Sequence, residues 1–593
     1  MSARLFSSLL MALAAAPAGA ATLSVVDDTG APLATAMVRE MPATRAPADT
    51  RDGGYPLPAQ PFVVETDITR FTDAVGRVRF DDRGRAVRLL VRKPGWREAS
   101  IELAPGQAEA RVALQRETDA LKRAEALPAN AWLGALDLGD GERKRHFQLQ
   151  CGFCHQQGNA QTRAERSPDE WRTLIKRMVR YGSRLSSADQ KALPELLSSG
   201  WRTLREHPER VAEPAAWDAA LAGSTLTEWP IGDAMSQQHD QLLGRNGHVY
   251  VADNIQDRVW EVDPASNRVT VHKIPHREGE PPGGLLAARL KEFPRHDSIS
   301  NAHSLAQSER DGHIFITPSA QQRLVEFDPA SGAFTLHDIG GGFYPHTIRV
   351  DAQDRVWFTL ALSNQVAMFE RSTRRFTLYD LPARGLRERL TVALIKPIFK
   401  LMSWGVPLSN WLPVDSLSTG VPLPYGIAVT PDGSVWVSRL HADDLARIDP
   451  KSGSVTMVSV PFAGPRRLRS DADGNLWITA FPESAIYRYE PAAQRFTRFE
   501  LPVFPKGSET PYALNLDKRR GIVWVNGNQS DSLYALEIAS GTWRRVPLPR
   551  RVAFTRDIEI AADGTVYTST SSFPSWHVED GQPTLIRVQT KAP

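Results

Sequence analysis

From residue 224 to residue 593, short apolar runs alternate with polar turns at a regular period. Each copy has a short strand, an Asp-Gly-like turn, an aromatic strand, a loop and a third strand, and most end in a fourth, such as FTLYDLP. Equivalent positions lie 41 to 46 residues apart where no insertion intervenes, as between His303 and His346. A period of this length with four strands per copy predicts a β-propeller, and we count seven copies.

One further strand lies outside this order. The segment TLTEWPI, residues 225–231, has the pattern of a fourth strand but precedes the first copy. We expect this segment to complete the last blade, because that pairing closes the ring and removes a free sheet edge.

Two different patterns precede the repeat. Residues 22–117 alternate apolar and polar positions between turns, which predicts a small antiparallel β-sandwich. Residues 118–223 have helical periodicity: one helix leads into Cys151, and another begins at Ser167, with Pro168 and Glu170 in its first turn. The predicted fold class is therefore multidomain, with an N-terminal β-sandwich, a small all-α domain and a C-terminal seven-bladed β-propeller, residues 224–593.

Residues 1–21 combine an early arginine, a short apolar run and small residues at positions 18–21. This pattern is typical of a signal peptide, and the run is too short for a membrane span. No later stretch has about 18 consecutive apolar residues, so we expect no transmembrane segment. The mature protein is expected in the periplasm.

Two insertions, residues 276–300 and 383–423, interrupt the repeat with helical character. The second is strongly apolar and carries five basic residues, Arg384, Arg387, Arg389, Lys396 and Lys400. Such a segment suits three roles: a cap over a pocket, a dock for the helical domain, or contact with a membrane surface. We expect burial against the helical domain, because that would hide the apolar surface.

Composition adds two constraints. The 43 prolines and 41 glycines punctuate short strands along most of the chain. The net charge of +3 is spread over interspersed charges of both signs, so we expect no nucleic-acid partner.

The only two cysteines of the chain lie in the pentapeptide Cys151-Gly-Phe-Cys154-His155. This spacing is the attachment signature of a c-type haem, in which both thiols bond the porphyrin and His155 binds the iron. A thioredoxin-like pair does not require His155, and a zinc site has no further cysteine to complete it. A disulfide would close too small a loop to stabilise much. The motif predicts one covalent haem c.

The second axial ligand of such a haem is predicted to be Met178, which lies on the helix that begins after Ser167. Its thioether is the usual partner of histidine in electron-transfer haems, although most helical methionines simply fill a core. His146 is an alternative ligand on the helix before the motif.

Three family resemblances follow from these motifs. The helical segment, roughly residues 125–210, resembles a class I cytochrome c domain. Residues 22–117, through their V-x-D-x-x-G-x-P-L opening, resemble a carboxypeptidase regulatory-like domain, which implies a spacer or binding module without catalytic residues. The repeat, with its P-H-x-I and V-W-F-T strands, resembles the propeller of virginiamycin B (streptogramin) lyases.

The lyase resemblance implies two histidines on adjacent blades that hold magnesium with nearby glutamates and deprotonate the substrate. The histidines match His303 and His346. The positions of two acidic residues are occupied instead by Leu360 and Tyr344, which removes the oxygen ligands that magnesium prefers.

One aligned position opens the innermost strand of every blade, and no blade has an aliphatic residue there. The seven residues are His239, His303, His346, Tyr425, Arg466, Tyr512 and Arg556. They are expected to converge on one mouth of the channel as a binding or catalytic pocket, with imidazoles as bases or ligands of a second metal and arginines as anion clamps. The alternative is a polar channel mouth whose groups bond only one another. Asp253 and Arg439 are expected as secondary contributors.

The first functional hypothesis is a periplasmic haem c oxidoreductase, in which the propeller binds a small-molecule substrate and the haem relays electrons to a soluble or membrane redox partner. The second is a lyase or isomerase with an accessory cytochrome. The third is a non-enzymatic electron-transfer protein.

Overall fold

The computed structural model describes residues 20–44, 60–284, 298–404, 406, 420–573 and 575–590. Nearly all of the expected signal peptide, and large parts of both insertions, lie outside these described residues. Among the helices that are described, none is long and apolar enough to cross a membrane.

The N-terminal region is built from short strands, most of which alternate buried positions with more exposed ones. These strands are β1 (Ala20–Asp27), β2 (Met37–Pro42), β3 (Phe62–Val63), β4 (Asp67–Phe71), β5 (Arg77–Asp81), β6 (Val87–Arg92), β7 (Ala99–Leu103) and β8 (Glu109–Leu114). Seven of them form two sheets, in the orders β5-β1-β8 and β4-β2-β6-β7. A core that includes Leu23, Val38 and Leu89 draws on both sheets, as expected for a sandwich.

The next region is helical. Its helices are α1 (Ala120–Glu125), α2 (Ala129–Ala135), α3 (Gly141–Cys151), α4 (Pro168–Arg180) and α5 (Ser187–Glu206). The helix start predicted at Ser167 is confirmed, because Ser167 and Glu170 form a reciprocal capping box. The helices pack around Trp132 and Trp201, which are both almost fully buried.

The repeat forms seven four-stranded antiparallel sheets. The first three are β10 (Gln238–Leu243), β11 (Val249–Asp253), β12 (Arg258–Asp263) and β13 (Arg268–Lys273); β14 (Ala302–Gln307), β15 (Ile314–Pro318), β16 (Arg323–Asp328) and β17 (Ala333–Asp338); and β18 (Pro345–Val350), β19 (Val356–Leu360), β20 (Gln365–Glu370) and β21 (Arg375–Asp380). The next three are β22 (Pro424–Val429), β23 (Val435–Arg439), β24 (Asp444–Ile448) and β25 (Val455–Ser459); β26 (Pro465–Ser470), β27 (Leu476–Ala480), β28 (Ala485–Glu490) and β29 (Arg495–Glu500); and β30 (Leu514–Asp517), β31 (Ile522–Gly527), β32 (Ser532–Glu537) and β33 (Trp543–Pro547).

The last blade consists of β34 (Glu559–Ile560), β35 (Val566–Ser569), β36 (Thr584–Gln589) and β9 (Thr225–Pro230). The predicted closure is confirmed, since β9 pairs antiparallel with β36 along its whole length, from Thr225 opposite Gln589 to Pro230 opposite Thr584. The ring is therefore closed by a strand that precedes the first blade.

Neighbouring blades are held together by packing and by one repeated hydrogen-bond bridge. The aromatic residue of each second strand is buried between blades: Tyr250, Phe315, Trp357, Trp436, Trp477, Trp524 and Tyr567. In the second blade, the Thr317 hydroxyl accepts from the Ser304 amide at 3.1 Å and donates to the His346 carbonyl of the next blade at 2.5 Å. Three further hydroxyls, of Thr359, Ser438 and Thr479, make the same bridge.

These bridges fill a gap in the strand ladder. In five blades the pairing between the two innermost strands shifts register at the aligned position, as between Ala302 and Leu305 in β14. The two skipped residues, His303 and Ser304 in this blade, make no ladder pair with the second strand. The bulge re-aims their side chains, which positions the aligned residues for the channel.

The sandwich is continuous with the propeller, which the sequence did not predict. Strand β4 pairs with β9 of the last blade, and β3 pairs with β13 of the first blade. A buried ion-pair network spans the first of these junctions. Asp67 accepts from Arg39 at 2.7 Å and from Arg550 at 3.0 Å, and Arg550 also donates to Glu228 at 2.9 Å.

The second insertion forms helix α6 (Gly385–Ser403). One side packs Ile395 against Phe343, Leu362 and Val421 of the propeller. The opposite side leaves apolar side chains exposed: Leu386, Leu390, Leu394 and Leu401. The expected burial against the helical domain is therefore wrong for these four leucines.

We expect Arg550→Met to destabilise the junction between sandwich and propeller by about 3–5 kcal/mol, because it leaves two buried carboxylates short of a partner. Urea unfolding compared with the wild type measures the loss. The control is Arg495→Met, whose side chain is 65 % exposed beside Glu490 and which should cost less than about 1 kcal/mol. Equal effects of the two substitutions would contradict this account of the junction.

Candidate functional site

The seven aligned residues do converge on the channel, and all are buried. Each is at most 4 % exposed. Five lie within the innermost strands of their blades, while Tyr512 and Arg556 lie just before β30 and β34.

Side-chain contacts join these residues into a ring. The imidazole centroids of His239 and His303 are 3.6 Å apart, and those of His303 and His346 are 3.9 Å apart. The ring of Tyr425 follows at 4.0 Å from His346, and its hydroxyl lies 2.5 Å from that of Tyr512. Arg556 completes the circuit: its Nη1 donates to the Tyr512 hydroxyl at 2.9 Å and lies 3.3 Å from His239 Nε2.

Arg466 sits among aromatic faces. Its guanidinium carbon is 3.6 Å from the ring centroid of Tyr512 and 4.1 Å from that of Phe481. Its Nη2 donates to the Tyr425 hydroxyl at 2.8 Å, whereas its buried Nε and Nη1 have no hydrogen-bond partner. In the described part of the chain, neither Arg466 nor Arg556 forms an ion pair with a carboxylate. Cation–π contacts and phenol oxygens therefore compensate these charges.

A second polar layer lies one residue further along the inner strands. Arg467 of the fifth blade reaches Asp240 of the first blade through two hydrogen bonds of 2.8 Å each. Asp557 lies 3.7 Å from Arg467 and 3.1 Å from Arg469. Burial and the neighbouring Asp240 charge raise the pKa of Asp557 to about 6. Sequence reasoning missed Asp240 and Arg467, although each directly follows an aligned residue.

The protonation states of the ring follow from burial among cations. Burial, followed by the charge of the neighbouring groups, lowers the pKa values of His303 and His346 well below the ordinary range. These imidazoles are therefore neutral near pH 7. Burial alone would raise the pKa of Tyr512, but Arg466, Arg556 and Arg467 outweigh it and lower that pKa to about 8. Burial raises the pKa of Tyr425.

The ring is a poor site for a second metal ion. Donor atoms of His239, Asp240 and His303 lie within 4.8 Å of one another. Both oxygens of Asp240 already accept hydrogen bonds from Arg467, and Arg556 faces His239. A divalent cation would be repelled by these guanidinium groups, so the residues do not fit it.

The Cys151–His155 segment lies against this ring. Helix α3 ends at Cys151, and the ring of Phe153 meets Tyr425 edge-on at 6.0 Å. Arg466 lies 4.2 Å from the centroid of Phe153, and Arg556 donates to the Cys154 carbonyl at 3.2 Å. Phe153 therefore covers the mouth on which the seven residues converge.

Two glutamines fix the segment to the sixth blade. Gln156 Nε2 donates to the Asn528 carbonyl at 2.7 Å, and the Gln157 amide donates to the Gln529 side chain at 2.9 Å. Both cysteines are free thiols, and the side chain of Cys154 is exposed. His155 Nδ1 lies 3.1 Å from Gln157 Nε2, which also donates to the Cys151 carbonyl at 2.7 Å.

The other predicted site residues lie outside the ring. Met178 is half-buried on α4, and His146 pairs with Asp189 at 3.3 Å. Asp253 accepts from the backbone amide of Gln256 in its own turn at 3.2 Å and from that of Gln237, which precedes β10, at 3.1 Å. Arg439 donates to Glu388 of α6 at 2.6 Å. Asp253 and Arg439 therefore have structural roles away from the ring.

A further histidine, His577, was not singled out by any sequence pattern. Its ring lies 6.3 Å from that of His155.

Comparison with known proteins supports the propeller. Residues 414–573 match the family model described as the virginiamycin B lyase family. No curated protein sequence is significantly similar to the chain.

Solved structures are similar only at low identity. Virginiamycin B lyase from Staphylococcus aureus has 15 % identity and a TM-score of 0.45, over 62 % of this chain and 99 % of the lyase. A streptogramin B lyase structure has 15 % identity and a TM-score of 0.46, over 62 % and 98 %. Kuenenia stuttgartiensis hydrazine synthase has 11 % identity and a TM-score of 0.42, over 61 % and 97 %.

We expect a spectrophotometric pH titration to detect one tyrosine that ionises near pH 8, in place of its ordinary value of 10. Tyr512→Phe should remove this step. Because the folded-state pKa is the lower one, the phenolate adds stability as pH rises from 8 towards 10, and this contribution is lost as pH falls through 8. The matched control is Tyr534→Phe, since burial raises the pKa of Tyr534 to about 12. A titration curve unchanged by Tyr512→Phe would contradict the assignment.

Proposed function

We propose that the chain is a periplasmic c-type haem protein that transfers electrons, with one haem bonded to Cys151 and Cys154 and His155 as an axial iron ligand. The proposal includes the class I cytochrome c identity of the helical region and the carboxypeptidase regulatory-like identity of the sandwich. The Cys-x-x-Cys-His spacing supports it, and the two cysteines do not form a disulfide with each other.

The observation that carries this proposal is the position of the motif on the propeller channel. Phe153 packs on Tyr425 and Arg466, and Arg556 holds the carbonyl of Cys154. A propeller used only as a spacer would not need a polar, cationic ring in contact with this segment. A haem bound there would supply a reversible one-electron centre.

The residues of the chain would set the properties of that centre. Two buried arginines without carboxylate partners in the described chain, Arg466 and Arg556, place positive charge beside the motif. Positive charge favours the reduced, less positive state of a nearby centre, so these residues would raise its reduction potential. Phe153 lies between this motif and the ring, in contact with Tyr425 and Arg466.

An oxidoreductase is the second candidate, and one observation favours it. Arg556 donates to both the Cys154 carbonyl and the Tyr512 hydroxyl. Tyr512, whose pKa is lowered to about 8, is therefore linked to the motif through a single side chain. Tyr512 would hold or release a proton while the haem changes its oxidation state. A small-molecule substrate and a soluble or membrane redox partner belong to this candidate.

A lyase finds less support. The two histidines that match the lyase pattern, His303 and His346, are at most 3 % exposed. The acidic positions of that pattern are Leu360 and Tyr344. The carboxylate of Asp240 lies near His303, but both of its oxygens already accept from Arg467, which disfavours magnesium.

We expect the protein, produced with periplasmic haem maturation, to keep its haem through denaturing electrophoresis and to give a c-type pyridine haemochrome with one iron per chain. Reductive titration should consume one electron per chain. The double variant Cys151→Ser, Cys154→Ser should lose the covalent haem, because no other thiol remains.

The matched control is His207→Ala, whose side chain is 52 % exposed after helix α5 and which should keep the wild-type spectrum. A wild-type protein without covalent haem would overturn the proposed function.

A further inference from the structure

We infer that His577 is the second axial ligand of the haem iron, opposite His155. This inference rests on the proposed haem attachment and replaces the sequence-based choice of Met178. It makes the site a bis-imidazole centre built from two distant parts of the chain, the helical region and the last blade.

The distance between the two rings carries the inference. The ring centroids of His155 and His577 are 6.3 Å apart, and the ring planes are inclined by 80°. Bonds from imidazole nitrogen to a transition metal are about 2.0–2.1 Å long, so one iron between two imidazoles holds their centroids roughly 6 Å apart. The observed separation has this value.

His577 also has an unmet hydrogen-bonding atom. Its Nδ1 is buried and has no hydrogen-bond partner within the described chain. Burying a polar atom without a partner costs free energy. Coordination of the iron by this Nδ1 would supply the interaction that the protein atoms lack.

The loop that carries His577 is exceptional among the blades. The second and third strands of each of the other six blades are joined by four residues, but β35 and β36 are joined by 14, residues 570–583. This extension is tied down on both sides of His577. The Ser575 hydroxyl donates to the Ser236 carbonyl, and Glu579 pairs with Arg92 of the sandwich. The loop therefore holds His577 beside His155.

In the part of the chain that the structure describes, Met178 has no contact that favours it as the ligand. It lies on the buried stripe of α4, about 20° around the helix from Trp171 and about 40° from Leu174. It is only half-buried, and among described residues the partly buried side chains of α4 that pack against the helical core are Leu174 and Val179. Its thioether would give a higher reduction potential than a second imidazole.

The test compares ligand-specific spectra of the full-length protein with covalent haem. We expect the wild type to lack the near-infrared methionine-to-iron band and to give the electron paramagnetic resonance spectrum of a low-spin bis-imidazole haem. His577→Ala should convert the ferric haem to a high-spin form, and free imidazole should restore the low-spin spectrum. His577→Met should raise the reduction potential.

Met178→Leu and His146→Ala serve as matched controls and should leave the spectra unchanged. A methionine band in the wild type that Met178→Leu abolishes would overturn the inference, as would a His577→Ala spectrum identical to that of the wild type. In both of these results the covalent haem persists, so the proposed function survives. Absence of covalent haem from the wild type would overturn the proposed function and the inference together.

Discussion

Three buried guanidinium groups, those of Arg466, Arg467 and Arg556, determine how the centre of this molecule is organised. Burying an arginine requires compensation for its charge and for its N–H groups. Asp240, across the channel, neutralises the charge of Arg467 and accepts from its Nη1 and Nη2. Arg466 and Arg556 rely on aromatic faces, phenol oxygens and the Cys154 carbonyl. The Cys154 carbonyl therefore supplies part of the solvation of the ring, and this contact ties the helical region to the propeller.

The same charges favour the proposed electron transfer over metal-assisted lyase chemistry. Burial and these charges keep His303 and His346 neutral, and the charges lower the pKa of Tyr512 and repel a divalent cation. They would also favour the reduced form of the proposed centre at Cys151–His155. A bis-imidazole pair would oppose this effect, because a second histidine gives a lower potential than methionine. The second histidine and the arginine charges would therefore shift the reduction potential of the proposed centre in opposite directions.

Much of the fold was predictable because its signals are periodic. The repeat length predicted the blades. The fourth-strand pattern at Thr225–Pro230, ahead of the first copy, predicted how the propeller closes, and the aligned positions predicted the ring of channel residues. Ser167 and Glu170 marked a helix start because capping depends only on local residues.

Contacts between distant segments had no such signal. The pairing of Asp67–Phe71 with the last blade, the packing of Phe153 on the channel and the approach of His577 to His155 depend on tertiary structure. Asp253 and Arg439 show the opposite error. Their repeat positions suggested a contribution to the pocket, but their hydrogen bonds are to structural groups away from the ring.

The central claim is that one haem lies at the junction of the helical region and the propeller. The most direct measurement is an anomalous difference map, collected at the iron absorption edge from crystals of the full-length protein with its covalent haem. One iron peak is expected between the imidazoles of His155 and His577, with Phe153 still packed on Tyr425 and Arg466. An iron peak away from His155, or a helical region displaced from the channel mouth, would contradict it.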